Sequence, residues 1–424
     1  MFGRFSLTLA THSALLKQTD LCVKCGLCLS HCPTYVKTRD EGNSPRGRIA
    51  LIEGLAKGQL TPTPRLEEHL NSCLTCRACE RVCPSGVRYG TIIDAGRAMI
   101  HSQSEPSALT KLVTNKPLLR LASRALRVYQ RSGAQTLARA SGLLRRGDMN
   151  RLDSLLPSLP PPPAWQEYYS PLSKKRGEVA LFTGCIAEVT DTVTLDAAIR
   201  LLTACGYGVH VPRTQVCCGA LHLHDGFPQQ ARRLAGQNLA AFSALKVDTV
   251  ISAASGCGAQ LAEYGQLLED EQGRRFAHSV QDISQFLAGI DWPENITFSP
   301  LHQRVAIHEP CTLRNVLRQE SHPYTMLRKI PGIELIALPG NAQCCGAAGT
   351  YMISQPALAD SLRNDKLAAL KTSGADMLVS SNIGCALHLA AGIRESEKPI
   401  EVLHPAALLA RQLNSDPDKE RHIP

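Results

Sequence analysis

Gln343-Cys344-Cys345-Gly346 has a near copy in Gln215-Val216-Cys217-Cys218-Gly219, whose two cysteines stand 127 residues earlier. A vicinal cysteine pair followed by glycine is unusual, and its recurrence in one chain points to duplication. Each pair follows a single cysteine, Cys185 or Cys311, by 32 or 33 residues and precedes another, Cys257 or Cys385, by 39 or 40. The offsets between equivalent cysteines are 126, 127, 127 and 128. So constant an offset marks two copies of one unit.

The sequence around these cysteines alternates between strand and helix patterns. In the first copy, strands are expected at Val179–Phe182, Gly208–Val211 and Thr249–Ala253, with helices at Thr192–Ala204 and Pro228–Lys246. In the second, strands are expected at Arg304–His308, Gly332–Leu338 and Met377–Ser380, with a helix at Pro356–Lys371. This alternation implies parallel α/β layers. Ligands of such sheets bind beyond the carboxyl ends of the strands. All eight cysteines fall there, which gathers each set of four into one crevice as metal ligands. Three chemistries fit such a set: a strained vicinal disulfide, zinc on four thiolates, or an iron–sulfur cluster in each copy or shared between them, the reading preferred here. His222, His224 and His308 lie near the cysteines in sequence, where an imidazole tunes a metal centre or carries a proton, or is a plain loop residue. Cys205 has no counterpart in the second copy and reads as packing.

Ahead of the repeats stand Cys22-x2-Cys25-x2-Cys28-x3-Cys32-Pro33 and Cys73-x2-Cys76-x2-Cys79-x3-Cys83-Pro84. This is the bacterial ferredoxin run, in which three thiolates wrap one 4Fe–4S cluster and the fourth, before proline, ligates the other cluster. The ligand sets are therefore Cys22, Cys25, Cys28 and Cys83 for cluster 1, and Cys73, Cys76, Cys79 and Cys32 for cluster 2. Zinc prefers two pairs of thiolates and fits this triplet spacing poorly. Between the runs, helices are expected over Arg46–Leu60 and Pro64–Asn71, so the head is a helical ferredoxin module. The basic residues of Ser44-Pro45-Arg46-Gly47-Arg48 either lie near cluster 2 and offset its charge or form a solvated helix start.

Composition bounds the rest. The 424 residues have room for two or three domains, and the 44% apolar and 20% charged fractions are those of an ordinary globular protein. The net charge of +9 is matched by nine Lys or Arg residues, with no acid, between Ser107 and Gly147. A general nucleic-acid surface is therefore not expected. Seventeen cysteines, with no signal-like stretch between Arg4 and Ala10 and no membrane-spanning apolar run, point to reduced, metal-binding thiols in a cytoplasmic protein. Arg120, Arg124, Arg127 and Arg131 recur at helical spacing among leucines, a basic amphipathic helix suited to an anionic membrane surface, an acidic partner, or packing on the head. Pro157 and Pro160–Pro163 then form a stiff linker.

The expected architecture is a multidomain α+β and α/β chain. Residues 1–105 form a helical ferredoxin domain, and 106–175 a basic connector with its Pro-rich linker. Residues 176–295 and 296–424 form two α/β cysteine-rich repeats.

This arrangement resembles the iron–sulfur subunits of bacterial glycolate oxidase. The twin ferredoxin runs, the two repeats, the Ser44–Arg48 stretch and Cys217-Cys218-Gly219-Ala220-Leu221 carry the likeness across nearly the whole chain. The same domain order occurs in the iron–sulfur subunit of anaerobic glycerol-3-phosphate dehydrogenase. The repeats alone look like those of lactate-utilisation proteins and heterodisulfide reductase. In the last of these each repeat ends in Cys-x2-Cys, whereas here Gln260 follows Cys257 and His388 follows Cys385. A five-thiolate cluster and disulfide reduction therefore do not carry over, although His388 could stand in for the missing ligand. The resemblance implies a complex that oxidises glycolate, or D-lactate, with the flavin on partner subunits. This chain would relay electrons to an acceptor such as a membrane quinone, at the inner face of the cell inner membrane, and would hold no catalytic residue. It has no nucleotide-binding glycine fingerprint, so neither flavin nor NAD is expected on it. The alternatives are a relay for glycerol-3-phosphate or lactate dehydrogenase, or a redox head on a zinc-stabilised scaffold.

Overall fold

The computed structural model describes residues 9–102, 104–142, 144, 149–396 and 399–414. The stretch 4–8 searched for a signal, and Arg145 and Arg146 of the basic segment, lie outside them.

Two parallel sheets share one strand order. The first holds Tyr168–Tyr169 (β1), Gly177–Phe182 (β2), Tyr207–His210 (β3), Thr249–Ser252 (β4) and Val280–Asp282 (β5), ordered β1-β3-β2-β4-β5 with only β1 antiparallel. Thr297–Phe298 (β6) comes next in the chain and pairs antiparallel with Leu413–Asn414 (β11). The second sheet holds Arg304–His308 (β7), Glu334–Ala337 (β8), Met377–Ser380 (β9) and Glu401–Leu403 (β10), ordered β10-β9-β7-β8. Without β1, each sheet runs second, first, third, fourth, so the cysteine duplication is a duplication of topology.

Alternation along the strands decides which side chains meet. Val179 and Leu181 of β2, Ile251 of β4, Val305 and Ile307 of β7, and Met377 and Val379 of β9 enter one core shared by both repeats. Helices Thr192–Ala204 and Pro405–Arg411 pack there with Leu201 and Leu408. The intervening residues face the other way. Ala180, Phe182 and Val250 pack with Cys185, Cys217 and Cys218, and Ala306 and Leu378 with Cys345 and Cys385. A one-residue slip in any of these strands would turn its core residues toward the cysteines.

Most expected elements are present. The first of the two helices expected between the ferredoxin runs is shorter than expected, Pro45–Ala56, because Ser44 Oγ caps it at Gly47 N–H and the chain turns at Gly58, φ +69°. The fourth strands β5 and β10 were not anticipated, since three residues are too few to show a period. β1 arises within the stretch read as connector, while Pro160–Pro163 has no regular structure.

The connector helix Lys116–Arg131 differs from expectation more deeply. It lies against the first repeat, and not on the head, with the edge that carries Lys116 and Arg127 turned inward and Arg120, Arg124 and Arg131 exposed. Lys116, Ser123 and Arg127 are buried, whereas Leu118, Leu121 and Val128 are exposed. Glu188, buried on the helix after Cys185, draws that edge in by pairing with Lys116 and Arg120 at 2.8 and 2.6 Å. Among the described residues no helix is long and apolar enough to cross a membrane.

Candidate metal centres

In the head, each ferredoxin run bends through two left-handed residues: Lys24 and Gly26 in the first, Thr75 and Arg77 in the second, with φ between +50° and +85°. Three of these four are not glycine, and each costs about 1–2 kcal/mol of backbone strain. Strain repeated at equivalent places is the mark of a loop shaped around something it holds.

The loops enclose two cavities. One is lined by Cys22, Cys25, Cys28 and Cys83, the other by Cys32, Cys73, Cys76 and Cys79. The structure thus brings together the two sets of four read from the spacing, including the exchange of the fourth cysteine. Cys79, Pro45 and Tyr89 border both cavities, and the Tyr89 hydroxyl lies 3.6 Å from Cys73 Sγ. The two basic residues of the helix start divide between the sites. Arg48, 1% exposed, lines the second cavity and is anchored on Thr34 Oγ1, Ser72 Oγ and His69 O. Arg46 lines the first, donating to Glu41 and to Lys24 O. Burial pushes the Cys28 thiol up to about 11 and raises Cys76 and Cys79 as well. Clustered thiols held protonated by burial are relieved when a metal replaces their protons. The donor set therefore fits iron–sulfur ligation.

In the repeats all eight cysteines lie in the loops or first helical turns that follow the strands and are unpaired by disulfide, so the vicinal pairs are free thiols. In the first repeat Cys185 and Cys217 Sγ are 3.7 Å apart. In the second, Cys345 and Cys385 Sγ are 3.0 Å apart, and His308 joins them in a buried group whose ligand atoms lie within 4.8 Å of one another. The Cys311 thiol beside it, together with Gly346 N–H, pulls Cys344 well below the ordinary thiol value. Gly219 and Gly346 both stand at φ +88° and donate N–H to the first sulfur of their pair, at 3.5 Å. These two glycines are required: a Cβ would lie 3.2 Å from Ala231 O in one repeat and 2.4 Å from Ala359 O in the other.

The histidines separate into different roles. Burial and Lys366 hold His308 neutral, down at about 3, with Nδ1 3.0 Å from Ser380 Oγ. His388, 0% exposed, turns Nε2 to Ala359 O at 3.2 Å and is not part of the close thiol group. Its counterpart Gln260 is buried with both amide atoms lacking a protein partner. His222 meets Thr114 of the connector at 3.0 Å, and His224 meets Asp94 of the head at 3.1 Å. Both therefore act as tethers between segments. Cys205 is fully buried in the shared core, as expected of packing.

Two residues escaped the sequence reading. Lys366 is buried beside all four second-repeat cysteines, donating to Gly340 O at 2.5 Å, and the equivalent helix position in the first repeat is Asn238. Burial lowers Lys366 and the surrounding thiols pull it back. Asn382 bridges the repeats, its Oδ1 accepting from Gly256 N–H at 3.3 Å and its Nδ2 donating to Cys385 Sγ at 3.4 Å. The 128-residue offset, applied to every polar position instead of to cysteines alone, would have marked Lys366 against Asn238.

The centres are also joined. Cys76 of the head shares one apolar cluster with Cys344 and Cys311 of the second repeat. Asn315, on the π-helix that follows Cys311, donates to Cys76 O at 2.8 Å. Arg81 pairs with Glu320 at 2.8 Å on the same face.

Comparison with known proteins agrees with this layout. The 4Fe-4S dicluster domain matches residues 18–87, the cysteine-rich domain matches 179–262 and 305–390, and the linker region of the glycolate oxidase iron–sulfur subunit matches 107–156. A "probable glycolate oxidase iron-sulfur subunit" of Bacillus subtilis is 36% identical over 92% of each chain. The glycolate oxidase iron–sulfur subunit of Escherichia coli is 33% identical over 91% of this chain and 93% of its own. Lactate utilization protein A of Shouchella clausii is 27% identical over 54% of this chain and 98% of its own. The crystal structure of a hypothetical protein from Helicobacter pylori superimposes with a TM-score of 0.53 at 14% identity, over 97% of this chain and 74% of that one. That last likeness is one of fold.

Proposed function

The chain belongs to the family of glycolate oxidase iron–sulfur subunits, and on that premise we propose that it relays electrons taken from glycolate on a flavin-bearing partner. It is an iron–sulfur electron-transfer subunit of an oxidoreductase complex. With iron–sulfur clusters bound, the thiol sets supply one-electron carriers in series. Cys22, Cys25, Cys28 and Cys83 would hold the first, and Cys32, Cys73, Cys76 and Cys79 the second. The repeat sets Cys185, Cys217, Cys218 and Cys257, and Cys311, Cys344, Cys345 and Cys385, would hold the last.

The observation that carries this order is the seat of Cys76 against Cys344 and Cys311. The path then runs from the first head site, through Tyr89 and Cys79, to the second repeat, and across Asn382 to the first. Its entrance is the first head site. Cys25 is exposed there, and Val23 and Leu27, which line the same cavity, are 69% and 57% exposed. Exposed apolar side chains around a redox centre suit docking of a partner protein. Arg46 and Arg48 offset charge at the two head sites, and Lys366 does so in the second repeat.

The test is anaerobic copurification with the partner subunits, followed by glycolate addition. Glycolate-dependent bleaching of the iron–sulfur absorbance is expected. Bleaching by lactate alone would transfer the assignment to lactate, which the likeness to lactate utilization protein A makes the second reading. Metal analysis that found iron in the head alone, with zinc in the repeats, would remove the repeats from the path.

A further inference from the structure

We propose that the cavity between the connector helix and the first repeat is a binding site for a small, multiply charged carboxylate or phosphate anion. The cavity, of about 440 Å³, is lined by Lys116, Arg120, Arg124 and Arg127 of the connector helix and by Arg213 of the loop after β3. Among the described residues of this lining Glu188 is the one acid, and Lys116 and Arg120 both bind it. Arg124, Arg127 and Arg213 have no ion pair among the described residues. Arg127 is the telling one, being 7% exposed. Its Nε donates to Pro160 O at 2.6 Å and its Nη1 to Ser123 Oγ at 3.3 Å, both neutral acceptors. A buried guanidinium without a counter-charge is costly, and here Arg124 and Arg131 add repulsion. A guanidinium fork beside further cations is the geometry that recognises carboxylate and phosphate.

The walls are built to hold shape. Trp165 is fixed by its indole N–H on Asp196 Oδ1 at 2.6 Å, and Pro162 and Pro163 form the adjoining side. The floor is Thr183 and Gln215, joined by the Thr183 N–H to Gln215 Oε1 bond at 2.8 Å. Each floor residue lies two positions before a metal-site cysteine, Cys185 or Cys217.

The duplication explains why this site exists once. The positions of Thr183 and Glu188 correspond to Glu309 and Arg314, which pair with each other at 2.5 Å, and Arg314 O accepts from Arg81 of the head. The head thus covers in the second repeat the face that the connector roofs as a cavity in the first. An anion there would stand beside the first-repeat thiols, where its charge favours the oxidised state of that centre; by linkage the oxidised protein binds it more tightly. The site rests on its own residues, independent of which substrate feeds the complex.

Anaerobically purified full-length holoprotein would be titrated calorimetrically with inorganic phosphate and, separately, malonate, in low-salt buffer. Saturable binding of at least one is expected, weakened tenfold or more in Arg127→Met and in Arg213→Gln, and unchanged in the distant control Arg65→Gln. Arg213 is exposed, so its variant keeps the test open if Arg127→Met fails to fold. Phosphate preferred over malonate would identify a phosphoryl ligand, and the reverse a carboxylate. Absence of saturable binding by either anion, or binding unchanged in Arg213→Gln, would overturn the site. A repeat-centre midpoint potential unmoved at saturation would overturn its redox linkage.

Discussion

Gly346 and Gly219 occupy the same backbone conformation but not the same surroundings, and that difference is measurable. In the left-handed region a side chain costs about 1–2 kcal/mol. At Gly346 the new Cβ would also meet Ala359 O at 2.4 Å, whereas at Gly219 the nearest atom, Ala231 O, is 3.2 Å away. Gly346→Ala should therefore destabilise the protein by more than about 2 kcal/mol and lose second-repeat metal, and Gly219→Ala should do so less. Thermal melting and iron per chain check the order, and an equal or reversed ranking would refute it. Lys366 sets a second contrast, because Asn238 replaces it in the first repeat. Lys366→Asn removes a buried positive charge from beside Cys311, Cys344, Cys345 and Cys385. Reduction adds negative charge, so the variant should lower the midpoint potential of the second-repeat centre, read by redox titration under electron paramagnetic resonance.

The connector helix is amphipathic in the sense its sequence indicates, yet it is mounted the opposite way. Its arginines are partly consumed in the fold: Arg120 by Glu188, Arg127 by burial. Leu118, Leu121 and Val128 are left facing outward, at 49%, 63% and 67% exposure. Attachment to an anionic membrane would then depend on these apolar side chains, with Arg124 and Arg131 at their flank. The double variant Leu121→Glu and Val128→Glu should move the protein from vesicles of anionic lipid to the supernatant on sedimentation. Removing Arg120 should instead loosen the first repeat, since it strips Glu188 of one partner. Vesicle binding untouched by the double variant would exclude this face.

Head, connector and repeats are one packed body held by polar tethers. Arg77 reaches Glu263 and Arg97 donates to His224 O at 2.8 Å on the first repeat, while Lys37 pairs with Asp365 at 2.7 Å on the second. The His224–Asp94 contact makes this docking sensitive to pH. Burial lowers the imidazole, but the Asp94 carboxylate more than offsets it and the net shift is upward. A raised value means the charged pair contributes its full stability below the ordinary histidine range and loses it as pH rises through the shifted value. Melting temperature should accordingly fall more between pH 6 and 8 in the native protein than in His224→Gln, by differential scanning calorimetry. Equal slopes would show that the tether carries no charge.

The cysteine spacing determined much of this protein by itself: two ferredoxin loops, two repeats, and the sets of head cysteines that line the two cavities, with Cys83 in the first and Cys32 in the second. Ligand spacing is local chemistry, and a duplicated offset survives in one dimension. Strands Arg304–His308 and Met377–Ser380 were legible for the same reason, being short apolar runs bounded by turns. The strands β1, β5 and β10 were not, because two or three residues have no period and exist only through their neighbours' hydrogen bonds. The seat of Cys76 against Cys344, the choice of His308, Lys366 and Asn382 over His388 as polar neighbours of the thiols, and the burial of Lys116 and Arg127 on the connector were decided by tertiary structure. Each depends on contacts between residues far apart in the chain, where burial and charge are set by what packs opposite and not by what lies next in sequence.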